Sequence, residues 1–211
     1  KDFKEYNTFQ DFFSRHLQVG ARTVDPLVLT NPSSLTSPCD GTIKSCGEID
    51  EDGQIGFIKG QNFSLQQFMT GEAGSKDQHL YQKKVLDTFH AQNTTDEKGN
   101  KPRRLGYCVI YLGLGDYHRF HAPADIDFTN RRHIAGACFP VKDSFCENHP
   151  GVLNRNERVV LEGNWQGRYF SYSPVGAFNV GSIKVGFDPE LDTNQLFHQA
   201  FSSVEDKTYT P

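Results

Sequence analysis

The apolar positions of this chain fall in short runs, and the period of each run predicts its element. Residues 107–112 (YCVIYL) form a nearly unbroken apolar run, of the length and β-branched and aromatic content of a buried strand. Gly113, Gly115 and Asp116 break it, and His118, His121, Ala122 and Pro123 follow at once. Near the front, Thr8-Phe9-Gln10-Asp11 reads as a capping box with Asp in the usual Glu position. Phe9, Phe12, Phe13 and Leu17 then recur at helical spacing up to Gly20, giving a short amphipathic helix with an aromatic face. That face either packs on the core or dips into a lipid interface.

Residues 21–38 are rich in Pro, Ser and Thr and read as an extended connection. Strands are expected at 42–49 and 54–59 around a Glu51-Asp52-Gly53 turn. A second short helix carries Leu65, Phe68 and Met69 on one side and stops at Gly71. Residues 72–104 are mostly polar, with a loop at 93–100. Further strands are expected at 126–134, 158–161 and 168–172, and a small-residue-rich one at 175–185; after Phe187 periodicity is lost. The pattern predicts one α+β domain over residues 1–211, a predominantly antiparallel β core, sandwich- or barrel-like, with short amphipathic helices at its N-terminal end.

Composition changes this picture little. The hydrophobic fraction is 36%, and 17 Phe residues carry much of the apolar payload. A net charge of −4 gives no general drive towards nucleic acid, so no nucleic-acid partner is expected. Two basic clusters, Lys101-Pro102-Arg103-Arg104 and Arg131-Arg132-His133, read as solvated faces, with anionic lipid headgroups as the functional option. Five cysteines without a CxxC indicate neither a disulfide framework nor a zinc site, and no metal is expected. Cys108, inside the apolar run, is expected to be a small buried hydrophobe. No apolar run approaches the roughly 20 residues that span a bilayer, and the start does not resemble a signal peptide. Membrane contact by this sequence is therefore expected to be peripheral, or supplied by sequence outside it.

The candidate chemistry lies at Asp40, His118 and His121. Asp40 sits in Pro-Cys-Asp-Gly-Thr, which is a plain turn in one reading. In the other it joins His121 as the carboxylate and imidazole of a triad that lacks its nucleophile. The two histidines read either as surface-loop residues, as half of a metal site, or as acid/base groups held by a rigid strand.

Six segments in order make the reading specific: FQDFFSRHL (9–17), SPCDGTI (37–43), KGQNFSLQQF (59–68), YLGLGDYHRFHAP (111–123), NERVVL (156–161) and VGAFNVGSIKV (175–185). Together they resemble phosphatidylserine decarboxylase, and the RRH and FDPELDTN segments resemble its eukaryotic, mitochondrial-type branch. The resemblance implies a proenzyme that cuts itself at a Gly-Ser bond, leaving the serine as an N-terminal pyruvoyl group on a small α chain. This sequence then corresponds to the large β chain. Its implied reaction takes phosphatidylserine to phosphatidylethanolamine and CO2, with the pyruvoyl carbonyl as the electron sink.

The same resemblance makes Asp40 and His121 the groups that activate the cleavage serine, and His118 the residue of decarboxylation. Val180-Gly181-Ser182 looks like the cleavage motif but is read as a packed strand, since 29 residues follow Ser182. The serine that becomes the pyruvoyl is therefore expected outside this sequence. The implied partners are the small α chain, membrane phosphatidylserine and a second copy in a homodimer. The implied location is the mitochondrial inner membrane, with the endoplasmic reticulum or another endomembrane as alternative. The front helix, helped by Phe63, Phe68 and Met69, would bring the site to the bilayer. Two rival readings are a Ser/His/Asp hydrolase and a non-catalytic lipid-binding module.

Overall fold

A computed structural model describes residues 3–49, 52–58, 61–71, 87, 105–195 and 203–210. The segment 72–104 with its expected loop at 93–100, and the basic cluster at 101–104, lie outside the described residues apart from Asp87. In chain order the elements are α1 (Phe9–Phe13), α2 (Pro26–Thr30), β1 (Thr42–Glu48), β2 (Gln54–Ile58), β3 (Gln61–Ser64), α3 (Leu65–Thr70) and β4 (Gly106–Tyr111). Then come β5 (Asp127–Ile134), α4 (Asp143–Cys146), α5 (Val152–Arg155), β6 (Arg158–Trp165), β7 (Arg168–Tyr172) and β8 (Val204–Thr208). The class is α+β with antiparallel sheets predominating, as the period analysis predicts. Contacts divide the chain into two compact units, residues 1–44 with 109–126 and residues 45–108 with 127–211.

In the first unit, α1 starts where the capping box predicts: the Thr8 hydroxyl accepts the Asp11 N–H at 3.0 Å. It stops at Phe13, well short of the expected end near Gly20. The Ser14 hydroxyl donates back to the Gln10 carbonyl, and the Arg15 guanidinium takes the Phe12 carbonyl, so the last carbonyls are satisfied without another turn. No residue of α1 is buried, and Phe9 is 63% exposed. The stretch expected to be extended throughout contains α2, because Asp25 caps the Leu27 N–H at 2.8 Å and Pro26 occupies the first helical position.

The second unit holds the order β7-β6-β5-β8, antiparallel throughout. Its centre is β6, where Val159, Val160 and Leu161 are at most 2% exposed. Each contributes about 1.5–3 kcal/mol by leaving water. A second sheet pairs β2 with β3, and α3 follows β3 directly, with the Ser64 hydroxyl accepting the Gln67 N–H as its cap. Phe63, Phe68 and Met69 are all buried, so the lipid contact expected of them is not available. Arg158 Nε and Nη2 donate to the Phe68 and Gln67 carbonyls, closing the end of α3, while Nη1 reaches the Asn154 and Asn156 carbonyls.

Other expectations are corrected here. The Arg131-Arg132-His133 cluster is neither a solvated face nor a headgroup site: all three side chains are buried in β5, and each has an acidic partner. Arg131 meets Asp188 at 2.8 Å and Glu205 at 2.9 Å, Arg132 meets Asp206, and His133 donates to Glu157 at 2.7 Å. The stretch 175–185 is not a strand but a set of close turns, with isolated bridges Ala177–Val180 and Val185–Asp188 and a positive φ at Asn179. Its small residues serve close approach instead: a Cβ on Gly181 would fall 2.7–2.8 Å from Asn194 and the Cys138 sulfur. Ser182 is exposed, while Thr193 Oγ1 accepts the Ile183 N–H. The tail without periodicity yields β8, a charge-rich edge strand whose partners on β5 decide its place. Cys108 is exposed, and the 106–111 strand is half-buried rather than buried.

Candidate active site

Asp40, His118 and His121 all belong to the first unit, together with the residues that fix them. Two segments distant in sequence are stapled there. Thr36 gives both its N–H and its hydroxyl to the Pro123 carbonyl at 2.9 Å, and the His121 N–H donates to the Pro38 carbonyl at 2.7 Å. Asp40 follows at the end of this staple, on the turn into β1. Gly41 has φ +124° and approaches β4 so closely that a Cβ would collide with the Tyr111 carbonyl. The Asp-Gly pair is thus needed here for its glycine, which lets the carboxylate-bearing turn lie against the end of the strand.

After β4 the chain folds into a tight turn. The Asp116 carboxylate accepts the Gly113 N–H at 2.7 Å, and the Asp116 N–H returns to the Gly113 carbonyl at 2.9 Å. This turn delivers Tyr117 inward, 8% exposed, and leaves His118 half-buried and His121 exposed. His118 Nδ1 lies 2.8 Å from the Asp116 carbonyl oxygen. A carbonyl only accepts, so Nδ1 carries the proton and Nε2 keeps the basic lone pair of the neutral ring. The ring also packs on Phe13 of α1 at 4.0 Å, and Arg119 beside it donates to the Ser14 carbonyl. The aromatic front helix and the histidine loop are therefore one assembly.

His121 Nε2 lies 3.2 Å from the Tyr117 hydroxyl, and the two rings stack at 5.7 Å. The Tyr117 backbone N–H also favours the ionised form of the Asp40 carboxyl. Among the described residues no hydrogen bond joins Asp40 directly to His121; the chain links them instead through the His121 N–H, which is tied to the Pro38 carbonyl two residues before Asp40. The Asp40 carboxylate is also gripped by Arg22, whose Nε donates at 2.8 Å and whose Nη2 makes a second bond. Hydrogen bonding from Arg22 holds the Asp40 carboxyl below the usual carboxylate range against the opposing effect of partial burial, and the Arg22 charge and the Tyr117 N–H act in the same direction. Arg22 and Tyr117 are absent from the sequence reading. Arg22 lies 18 residues before Asp40 in a polar stretch with no motif, whereas Tyr117 stood next to the histidines and its polar handle was the available signal.

Among the described residues no cluster of three or more His, Cys, Asp or Glu is arranged to hold a metal. The arrangement offers proton transfer: an imidazole at His118 whose Nδ1 faces a carbonyl and whose Nε2 is left for exchange, and at His121 a second imidazole set against the Tyr117 hydroxyl.

Known proteins bear on which chemistry this is. The family profile described as phosphatidylserine decarboxylase matches residues 9–200. The chain is 38% identical over 92% of its length to a mitochondrial phosphatidylserine decarboxylase proenzyme of Rattus norvegicus, covering 45% of that protein. It is 35% identical over 99% of its length to mitochondrial phosphatidylserine decarboxylase proenzyme 1 of Arabidopsis thaliana, covering 49% of it. A proenzyme of Plasmodium knowlesi is 35% identical over 93% of the chain and 48% of its own length. The chain thus spans about half the length of the curated relatives it matches. On sequence and on the ordered segments around Asp40 and the two histidines, it belongs to the phosphatidylserine decarboxylase family.

Proposed function

We propose that this chain is the large-chain portion of a self-processing phosphatidylserine decarboxylase, converting phosphatidylserine to phosphatidylethanolamine and CO2. The observation that supports it best is the separation of the two imidazoles by environment. His121 stacks on Tyr117, meets its hydroxyl and is tied by its N–H to Pro38, two residues before Asp40, whereas His118 is held by a backbone carbonyl through Nδ1 and by Phe13, with Nε2 left over. Two imidazoles so differently held suit two different proton transfers.

In maturation, His121 takes the proton of the serine that attacks the preceding peptide bond. Asp40 supports the resulting positive charge, and Tyr117 orients the ring. In turnover, the pyruvoyl group of the small chain supplies a carbonyl that binds the substrate amine and accepts electrons as CO2 leaves. The residues here fit that group, because the fixed tautomer of His118 gives what it leaves undone: an Nε2 that can hold a proton and return it to the substrate carbon. Phe13 fixes the ring plane, and the half-buried setting limits access of bulk water to it.

The lipid substrate agrees with the surface of the same unit. Phe9, Val19, Leu27, Leu29 and Leu114 are exposed there, and exposed apolar side chains of this kind suit peripheral binding at a bilayer. No helix among the described residues is long and apolar enough to cross a membrane. A mitochondrial location follows the names of the relatives. A homodimer and the small α chain complete the proposed partners.

The test is intact mass spectrometry of the protein expressed from its full-length gene, before and after borohydride reduction. Two chains, the smaller beginning in a pyruvoyl that gains the mass of reduction, are expected. A single uncut chain, or a small chain beginning in ordinary serine, would overturn the proposal, and labelling of the mature protein by a serine-directed probe would favour a hydrolase.

A further inference from the structure

Two of the five cysteines lie on the paired strands β1 and β4, Cys46 on the first and Cys108 on the second. The pairing is antiparallel and its register follows from three contacts. The Ile49 N–H donates to the Leu105 carbonyl at 2.8 Å. A Cβ on Gly47 would sit 3.4 Å from the Tyr107 ring. The Tyr107 hydroxyl lies 3.0 Å from the Ser45 hydroxyl and accepts the Gly56 N–H at 3.1 Å. Ile49 thus faces Leu105 as a hydrogen-bonded pair and Gly47 faces Tyr107, which places Cys46 directly opposite Cys108. Counting from Ile49, that position is a non-hydrogen-bonded pair, where Cα atoms approach to about 4.5 Å and side chains leave the sheet on the same side. Ser45, Gly47 and Tyr107 mark the face turned towards β2, so Cys46 and Cys108 take the other face; both residues are exposed.

We propose that Cys46 and Cys108 form a dithiol site for reversible disulfide exchange, with a low-molecular-weight disulfide such as oxidised glutathione as oxidant. A Cα separation of about 4.5 Å falls at the short end of the range a disulfide bridges, so the bond can form without strand movement. In the first step the thiolate of one cysteine attacks the glutathione disulfide, forming a mixed disulfide and expelling one glutathione thiolate. In the second, the other cysteine's thiolate attacks the protein sulfur of that mixed disulfide and expels the second glutathione. Two protein thiols lose two protons and two electrons, and the glutathione disulfide gains them as two thiols. An exposed disulfide at the short end of the range is of the readily reduced kind, so the site cycles rather than locks. No step proposed for maturation or decarboxylation uses either sulfur.

The test is to incubate the folded full-length protein with oxidised glutathione, alkylate, digest and map the linked peptides. The expected result is a Cys46–Cys108 link at least tenfold above any other cysteine pair, reversed by dithiothreitol and lost when the protein is unfolded in urea before oxidation. Cys46→Ser should stop at a glutathione adduct on Cys108, and Cys108→Ser at an adduct on Cys46. Full alkylation of both residues in the folded wild type, or linkage no more selective than in urea, would overturn the proposal.

Discussion

Removing one oxygen atom from Tyr117 separates the proposed maturation chemistry from turnover. Tyr117→Phe keeps the stacked ring and the backbone N–H that serves Asp40, and deletes only the hydroxyl 3.2 Å from His121 Nε2. One neutral hydrogen bond of this kind contributes about 0.5–1.5 kcal/mol net. If the bond orients His121 for proton removal, self-cleavage should slow about 2- to 12-fold. It should not stop, because the ring still packs in place. The assay is a time course of proenzyme conversion on a denaturing gel after synthesis of the full-length protein, with decarboxylation measured per mature molecule. Slower conversion with unchanged turnover per mature molecule is the expected pattern. Conversion at the wild-type rate would refute the orienting role of the Tyr117 hydroxyl, and equal loss of both activities would assign the hydroxyl to His118's reaction or to general stability.

The remaining expectations concern other residues. Asp40→Ala and His121→Ala should each leave the proenzyme uncut by more than ~90%, on the scale of lost acid–base catalysis, whereas His118→Ala should be cut yet release little CO2; gel and radiolabelled-CO2 assays read both. Glu157 is buried and accepts from His133 at 2.7 Å, the Gly136 N–H at 2.7 Å and the Asn194 N–H at 2.8 Å, so Glu157→Gln sets a donor against donors and should cost about 3 kcal/mol in urea unfolding. Burial alone would raise the Glu157 carboxyl, but those three donors outweigh it and its pKa is lowered; its contribution is present above the ordinary carboxylate pKa and is lost as pH falls through the lower folded value. Wild type should therefore lose more stability on acidification than Glu157→Gln, and parallel pH profiles would count against this account. Leu27→Asp with Leu29→Asp, both at exposed positions, should weaken co-sedimentation with phosphatidylserine vesicles several-fold while circular dichroism is unchanged.

What was legible in the sequence was local. The cap at Thr8 could be read because a cap needs only its own residue and the next turn. The strands of the β5–β6–β7 meander could be read because period and turn residues agree. The site could be read as far as Asp40, His118 and His121, whose neighbours in sequence form motifs. Long-range pairing could not. Arg22 has no local reason to meet Asp40, and Arg131, Arg132 and His133 look like surface until Asp188, Glu157, Glu205 and Asp206 arrive from distant segments. The 175–185 stretch misled for the opposite reason. Its small apolar residues match a tight strand, and equally match a turn region into which Thr193 and Asn194 press.

The order β7-β6-β5-β8 also has a temporal side. On the ribosome β5 is complete some 70 residues before its outer neighbour β8 begins, roughly 4–14 s at ordinary elongation rates. During that interval the nascent protein carries a bare strand edge, the kind of surface that captures other unfinished chains. Arg131 and Arg132 on that edge give the waiting strand a concentrated positive charge, and like-charged edges repel. When β8 emerges it brings Glu205 and Asp206 into register with His133 and Arg132, so the charge that keeps strangers away is cancelled by the chain's own late-arriving strand.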